Sequence, residues 1–263
     1  SGEEWSTDEQ MFDLIHKMRE RIITAPCFGC GKVLGAILFE RTMNGTVAGK
    51  PAPEALVERG IVPFIKIDKG LEPEEDGVQR MKPIPDLDPL LDRAKSLGVF
   101  GTKERSVINF ANRDGIASIV TQQFDVAADV LAQGMVPILE PEVNIKSPER
   151  AAADRILLDE LLAALDDEPG GPQVMLKLSI PAEPGLFRPL VEHPRVLRVV
   201  ALSGGFSRDD ACRELARNPG MIASFSRALL SDLRHDQGDE EFERTLRTAI
   251  DEIYEASTAK VPA

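Results

Sequence analysis

The sequence predicts an α/β fold built on a mostly parallel sheet, and three observations carry that prediction. Short runs rich in Val, Ile, Leu and Phe alternate with helical stretches seven times along the chain. No G-x-G-x-x-G and no G-x-x-x-x-G-K-[ST] loop follows any of these runs, which disfavours the open, nucleotide-binding kind of sheet. The length, 263 residues, suits a closed parallel barrel, for which about 250 is typical. The expected architecture is a (β/α)8 TIM barrel with its first strand missing from this chain, residues 1–263 forming one barrel domain.

The elements follow in order. Thr7-Asp-Glu-Gln10 reads as a capping box, and Met11, Leu14, Ile15, Met18 and Ile22 follow at helical spacing. The expected strands are Lys32–Phe39, Ile61–Asp68, Val99–Asn109, Met135–Val143, Gln173–Ile180, Val196–Ser203 and Met221–Leu229. Between them, Asp88-Pro89 opens a helix that Gly98 closes. Ile116, Ile119, Val120, Phe124, Ala127 and Leu131 form an apolar stripe ending at Gly134. Ser147-Pro148 opens a further helix, Ser207 caps another, and Phe242, Leu246, Ile250 and Ile253 mark the last.

Composition excludes several classes of function. A net charge of −13 argues against general nucleic-acid binding, because cations are needed to displace phosphate counterions. Local Lys and Arg clusters can still hold a small anion. No apolar run approaches the ~18 residues that span a bilayer. The acidic segment Ser1 to Gln10 does not read as a targeting signal, and three Cys suggest a reducing, cytoplasmic setting. His16, His193 and His235 are scattered, so no His-built metal site is expected. Cys27-Phe-Gly-Cys30 lacks a second C-x-x-C and reads as a loop with two incidental thiols.

The informative feature is charge where a buried strand should have none. Strands end in Lys66-Ile-Asp68, Lys103-Glu-Arg105, Glu140-Pro-Glu142 and Lys177-Leu-Ser179. Residues i and i+2 on a strand share a face, so each pair projects together. The charges at 66, 103, 140 and 177 recur every 37 residues, about one βα unit, which predicts similar heights on adjacent strands. Facing the interior near the strands' carboxyl ends, they would line the mouth where barrel active sites form. Lys177 lies between Leu176 and Leu178 with no acid in its own strand. Burial and a nearby cation such as Lys103 would favour its neutral amine, a nucleophile toward carbonyls. Ser203-Gly-Gly205 ends the next strand and Arg227 the one after, together suggesting a phosphate site.

These residues resemble a known family. Ile61-Val-Pro-Phe-Ile-Lys-Ile-Asp-Lys-Gly70, Gly134-Met-Val-Pro-Ile-Leu-Glu-Pro-Glu142, Met175-Leu-Lys177 and Leu202-Ser-Gly-Gly205 are similar to class I fructose-bisphosphate aldolase, shorter bacterial branch. The resemblance runs from about Met11 to Ser257 and implies a metal-independent lyase of glycolysis and gluconeogenesis without a cofactor. Lys177 would form the Schiff base, Glu140 would transfer protons, and Glu142 and Lys103 would support them. Lys66, oriented by Asp68, and Arg105 would hold the phosphate nearer the aldehyde product. Ser203, Gly204, Gly205 and Arg227 would hold the other phosphate. The implied partners are sugar phosphates; the oligomeric state stays open.

The sequence departs from the family in three places. The family's first strand, with a catalytic Asp and a Ser/Gly loop, has no counterpart before Trp5. A natural protein roughly 30 or more residues longer at its N-terminus is therefore expected, its extra strand filling an opening between Lys32–Phe39 and Met221–Leu229. Tyr254 lies in a helix pattern and does not take the role of the animal-type C-terminal tyrosine. Ala223-Ser-Phe-Ser226 is short before Arg227. Two other readings stay open: a related Schiff-base lyase acting on another phosphorylated ketose, and a non-catalytic barrel that binds sugar phosphate or a protein.

Overall fold

A computed structural model of the chain describes residues 7–261. Residues 1–6 of the acidic opening segment, Trp5 included, lie outside the described residues. Helix α1 (Asp8–Thr24) starts where expected, with Thr7 Oγ1 accepting the Gln10 backbone N–H at 3.3 Å. A 3-10 turn, Pro26–Gly29, leads to β1 (Gly35–Leu38). Next come α2 (Glu40–Met43), a hairpin of β2 (Thr46–Val47) and β3 (Lys50–Pro51), and α3 (Ala52–Val57). Then follow β4 (Val62–Lys66), β5 (Val78–Gln79), α4 (Leu87–Ser96), β6 (Gly101–Ile108) and α5 (Arg113–Ala132). The remainder is β7 (Val136–Val143), α6 (Arg150–Asp166), β8 (Val174–Ser179), α7 (Arg188–Val191) and β9 (Val196–Leu202), then α8 (Arg208–Ala216), β10 (Ile222–Ala223), α9 (Arg227–Leu230) and α10 (Asp239–Thr258).

The wall of the fold is the order β1-β4-β6-β7-β8-β9-β10, every neighbour parallel. This is the expected α/β barrel sheet. Among the described residues β1 and β10 do not pair with each other, so the wall is open between them. Short β5 adds antiparallel pairing along the far end of β6.

Alternation along each strand separates two environments. Ile65 and Ile67 face outward beside Leu56, Leu91 and Ala94 of the helices, and Leu38 joins them. Leu139, Leu176, Leu178, Val199 and Ala201 face a second helix-side core with Ile116, Leu157, Leu161 and Leu215. These cores share the circumference, and α10 touches both, through Phe242, Leu246 and Ile250 on one side and Ala256 on the other. Full burial of each such side chain contributes about 1.5–3 kcal/mol, and the inner strands β4, β6, β7, β8 and β9 keep their backbone polar groups paired with a neighbour on both sides. The residues between them in sequence, among them Phe64, Lys66, Lys103, Glu140 and Lys177, therefore face the interior.

The expected helix starts hold to within a few residues. Ser207 Oγ accepts the Asp210 N–H at 3.1 Å and donates to Asp210 Oδ2 at 2.8 Å, capping α8. Asn112 caps α5 in the same way, accepting the Gly115 N–H at 3.0 Å. One expectation is corrected. The strand Met221–Leu229 shrinks to Ile222–Ala223, and Arg227 begins the short helix α9 rather than lying on a strand. With a partner on β9 alone, this edge segment forms ladder bonds on one side only, the last from the Ser224 N–H to the Ala201 carbonyl at 2.7 Å, and Phe225 and Ser226 leave the sheet. The hairpin β2–β3 and the short helices near it were not anticipated by any apolar period.

Candidate active site

Lysines and carboxylates alternate in one continuous chain of contacts across four strands. Lys66 Nζ lies 2.6 Å from Asp68 Oδ1, and Asp68 Oδ2 lies 3.2 Å from Lys103 Nζ. Lys103 Nζ lies 2.7 Å from Glu140 Oε2, and Glu140 Oε1 lies 3.0 Å from Lys177 Nζ. Asp68, Lys103 and Glu140 are buried, while Lys66 and Lys177 at the two ends keep partial exposure. One step farther toward the carboxyl ends, Arg105 Nε donates to Glu142 Oε2. The expected pairs thus project together, and Lys177, which has no acid in its own strand, takes its partner from the neighbouring one.

Strand register explains who meets whom. Lys66 stands opposite Lys103, and Leu139 opposite Leu176, which sets Glu140 beside Lys177. Between β6 and β7 the equal spacing of 37 is not kept: Lys103 stands opposite Ile138, and Arg105 opposite Glu140. Glu140 is therefore two residues, about 6.6 Å, higher than Lys103. Such stagger comes with closing a tilted sheet into a barrel. Long cationic side chains cross it by reaching upward, Lys103 to Glu140 and Arg105 to Glu142.

The electrostatics follow from burial and pairing. Burial pushes the Lys103 ammonium down, but Glu140 and Asp68 more than offset it, and its pKa lies above the ordinary lysine value. Glu104 points the other way, toward the helices, fully buried with Thr102 Oγ1 donating to its Oε2 at 3.3 Å. Burial pushes this carboxyl well above the usual range, against the opposing pull of Lys103 and Thr102. Sequence reading passed over Glu104, although its position between two inward-facing cations already assigned it to the outer face.

The other group of expected residues lies at the ends of β9 and β10. Ser203 is buried and its carbonyl accepts the Phe206 N–H at 2.9 Å, closing a turn through Gly204 at φ 60° and Gly205 at φ 111°. Glycine is needed at position 204, where a Cβ would also meet Ile145 Cγ2 at 2.7 Å. Arg227 is exposed on α9, and among the described residues no hydrogen bond joins it to this turn. The structure thus assembles Lys66, Asp68, Lys103, Glu140 and Lys177, pairs Arg105 with Glu142, and leaves Ser203–Gly205 and Arg227 as neighbours in connectivity only.

Similarity to known proteins agrees with this geometry. Over nearly its whole length the chain resembles fructose-bisphosphate aldolase from Plasmodium falciparum, at 24% identity, covering 97% of this chain and 88% of that one, with a TM-score of 0.78. A Corynebacterium glutamicum protein matches at 14% identity over 97% and 79% of the two chains, TM-score 0.57. An archaeal fructose 1,6-bisphosphate aldolase matches at 13% identity over 94% and 85%, TM-score 0.50. At these identities the likeness establishes the barrel fold. The family model for class I fructose-bisphosphate aldolase matches residues 13–165, a span that holds Lys66, Asp68, Lys103, Arg105, Glu140 and Glu142 and ends before Lys177. With that span exceeding half of its length, the chain belongs to the class I fructose-bisphosphate aldolase family.

Proposed function

We propose that the chain cleaves fructose 1,6-bisphosphate reversibly to dihydroxyacetone phosphate and glyceraldehyde 3-phosphate, with Lys177 as its Schiff-base residue. The observation that carries this reading is the ion pair of Lys177 with Glu140 at 3.0 Å, inside the barrel of a class I aldolase family member. Class I chemistry runs through a lysine imine and needs no metal. Residues 1–263 would act as one aldolase domain in the cytoplasm, serving glycolysis and gluconeogenesis. No helix among the described residues is long and apolar enough to cross a membrane.

Each step has a residue within reach. Glu140 takes a proton from the Lys177 ammonium, and the freed amine attacks the substrate ketone to form a C–N bond. Glu140 returns the proton to the departing hydroxyl, water leaves, and a protonated imine results. Glu140, again a carboxylate, takes the C4 hydroxyl proton as the C3–C4 bond breaks, the electron pair moving onto the imine nitrogen, and the aldehyde product departs. Reprotonation at C3 and hydrolysis release the ketone product and regenerate Lys177. Lys103, held between Asp68 and Glu140, keeps the Glu140 carboxylate aimed at Lys177. Glu142 orients Arg105, which with Lys66 would hold the phosphate nearer the aldehyde. The Ser203–Gly205 turn and Arg227 would hold the other phosphate.

Cations at both ends of this arrangement favour a bisphosphate over a ketose with one phosphate. The test is borohydride reduction in the presence of fructose 1,6-bisphosphate, followed by peptide mapping. A triose adduct on Lys177 is expected. An adduct on another lysine, or none in an actively cleaving sample, overturns the assignment.

A further inference from the structure

We propose that Cys27 and Cys30 are a redox-modification site, a dithiol that a hydroperoxide closes to an intramolecular disulfide. Sequence reading treats this C-x-x-C as two incidental thiols, but the structure gives the motif a specific setting. It occupies one turn of 3-10 helix, Pro26–Gly29, with Cys30 as its C-cap. Side chains three residues apart lie one above the other on such a turn. Its rise of about 2 Å per residue sets the two Cα atoms roughly 6 Å apart, within the span a disulfide bridges.

The two thiols have different surroundings. Cys27 is 2% exposed, whereas Cys30 opens to solvent. Behind the turn lies α10, from which Glu243 Oε1 accepts the Cys27 backbone N–H at 3.0 Å. The Cys27 thiol donates to the Glu243 carbonyl oxygen at 3.9 Å. Glu243 Oε2 is buried and has no hydrogen-bond partner among the described residues, so one acceptor position beside the buried thiol is open. Arg247, one turn along α10, donates to Glu243 Oε1 at 2.5 Å and interacts electrostatically with both thiols. A second cation steadies the turn: Arg59 donates to the Ala25 carbonyl at 2.6 Å and packs against Gly29, where a Cβ would lie 3.2 Å from its Nε.

This asymmetry divides the labour. Burial first, and the Glu243 carboxylate second, push the Cys27 thiol up to about 12, so it stays protonated until a partner is presented to it. Cys30, exposed to solvent with its thiol donating to the Pro26 carbonyl at 3.2 Å, meets the oxidant first. Its thiolate attacks the peroxide; an S–O bond forms, the O–O bond breaks, and the leaving oxygen takes a proton. Cys27 sulfur then attacks the Cys30 sulfenic acid; the S–S bond forms, the S–O bond breaks, Glu243 receives the Cys27 proton, and the departing hydroxide is protonated to water. Two thiols lose two electrons and one peroxide gains them. Cys212, on α8, has its thiol pushed up to about 11 by burial and Glu252 and serves as an internal reference.

The experiment uses the reduced full chain, exposed to hydrogen peroxide, quenched by alkylation at intervals and mapped by mass spectrometry. The peptide containing Cys27 and Cys30 is expected to lose two hydrogens and to regain them with dithiothreitol, while Cys212 remains alkylated. Cys27→Ser should stop at a Cys30 sulfenic acid that dimedone traps. Glu243→Gln should leave formation of the sulfenic acid unchanged and slow ring closure about tenfold or more. The wild-type time course alone is decisive, whether or not a variant folds. Oxidation of Cys30 with Cys27 still open to alkylation, or a disulfide to Cys212 or to a second molecule, overturns the proposal.

Discussion

Lys177 Nζ lies 3.0 Å from Glu140 Oε1, a contact made between side chains of adjacent strands at the same height. The pair matters because Glu140 has a second cation, Lys103, on its other oxygen. The carboxylate therefore stays placed when Lys177 changes charge, a requirement for any group that must return a proton to the atom it took it from.

Replacing Lys177 by Met should abolish cleavage and borohydride trapping together. The fold should persist, since Glu140 keeps Lys103 and is not left as an unpaired buried charge. Circular dichroism and a thermal melt check the second half of the statement. Retained turnover would remove Lys177 from the chemistry.

Glu140→Gln should lower kcat by about 10²- to 10⁴-fold and leave KM nearly as it was. The amide keeps the shape but cannot carry the proton. Steady-state kinetics decide the matter; an unchanged kcat moves the proton-transfer role, and Glu142 on the same strand is next in line.

Activity should survive EDTA, because the imine performs the electron withdrawal that a bound divalent ion performs in metal-dependent enzymes. Assays with and without chelator, and with zinc added back, are sufficient. Loss with EDTA that zinc restores would place the reaction in the other class.

Asp154, fully buried on α6, predicts a pH dependence of stability. Its Oδ2 accepts the Ala182 N–H at 2.8 Å, just past β8. Burial pushes its pKa up from 3.8 to about 6, against the opposing effects of that N–H and of Arg150. The folded state thus binds this proton more tightly than the unfolded one. Its contribution is complete below about pH 4 and is lost as pH rises through about 6, a change of about 3 kcal/mol. Asp154→Asn removes the dependence, so the variant should gain on the wild type by about that amount between about pH 4 and pH 7 in urea unfolding. A constant difference across that range would contradict it.

The barrel strands were legible because buried parallel strands read as apolar runs, and charges such as Lys66 or Glu140 stand out against them. The i and i+2 rule placed those charges inward correctly. What pattern alone did not give was stagger: equal spacing puts Lys103 level with Glu140, whereas the tilted sheet sets Lys103 opposite Ile138. Arg227 was misplaced for a related reason. Met221–Leu229 has the composition of a strand, but an edge with one neighbour does not hold it beyond the Ser224 N–H. Asn112 was legible as well, since Asn is a favoured N-cap residue, and its side chain accepts the Gly115 N–H.

The helix-side interior consists of two bodies of apolar side chains, and two helices contribute to both, α5 through Val130 and Ile116 and α10 through Leu246 and Ala256. Cooperative units of unfolding follow contiguous packing of this kind. Residues around Leu56, Ile65 and Leu91 form one such unit, and those around Leu139, Leu161 and Leu178 the other. Amide hydrogen exchange on each should report its own opening free energy, while the middle of α10 should exchange only when both units open. The last helix is in this sense a second clasp of the molecule beside α5: shortening it at Phe242 or Ala256 would loosen the tie between the two halves before it unfolded either.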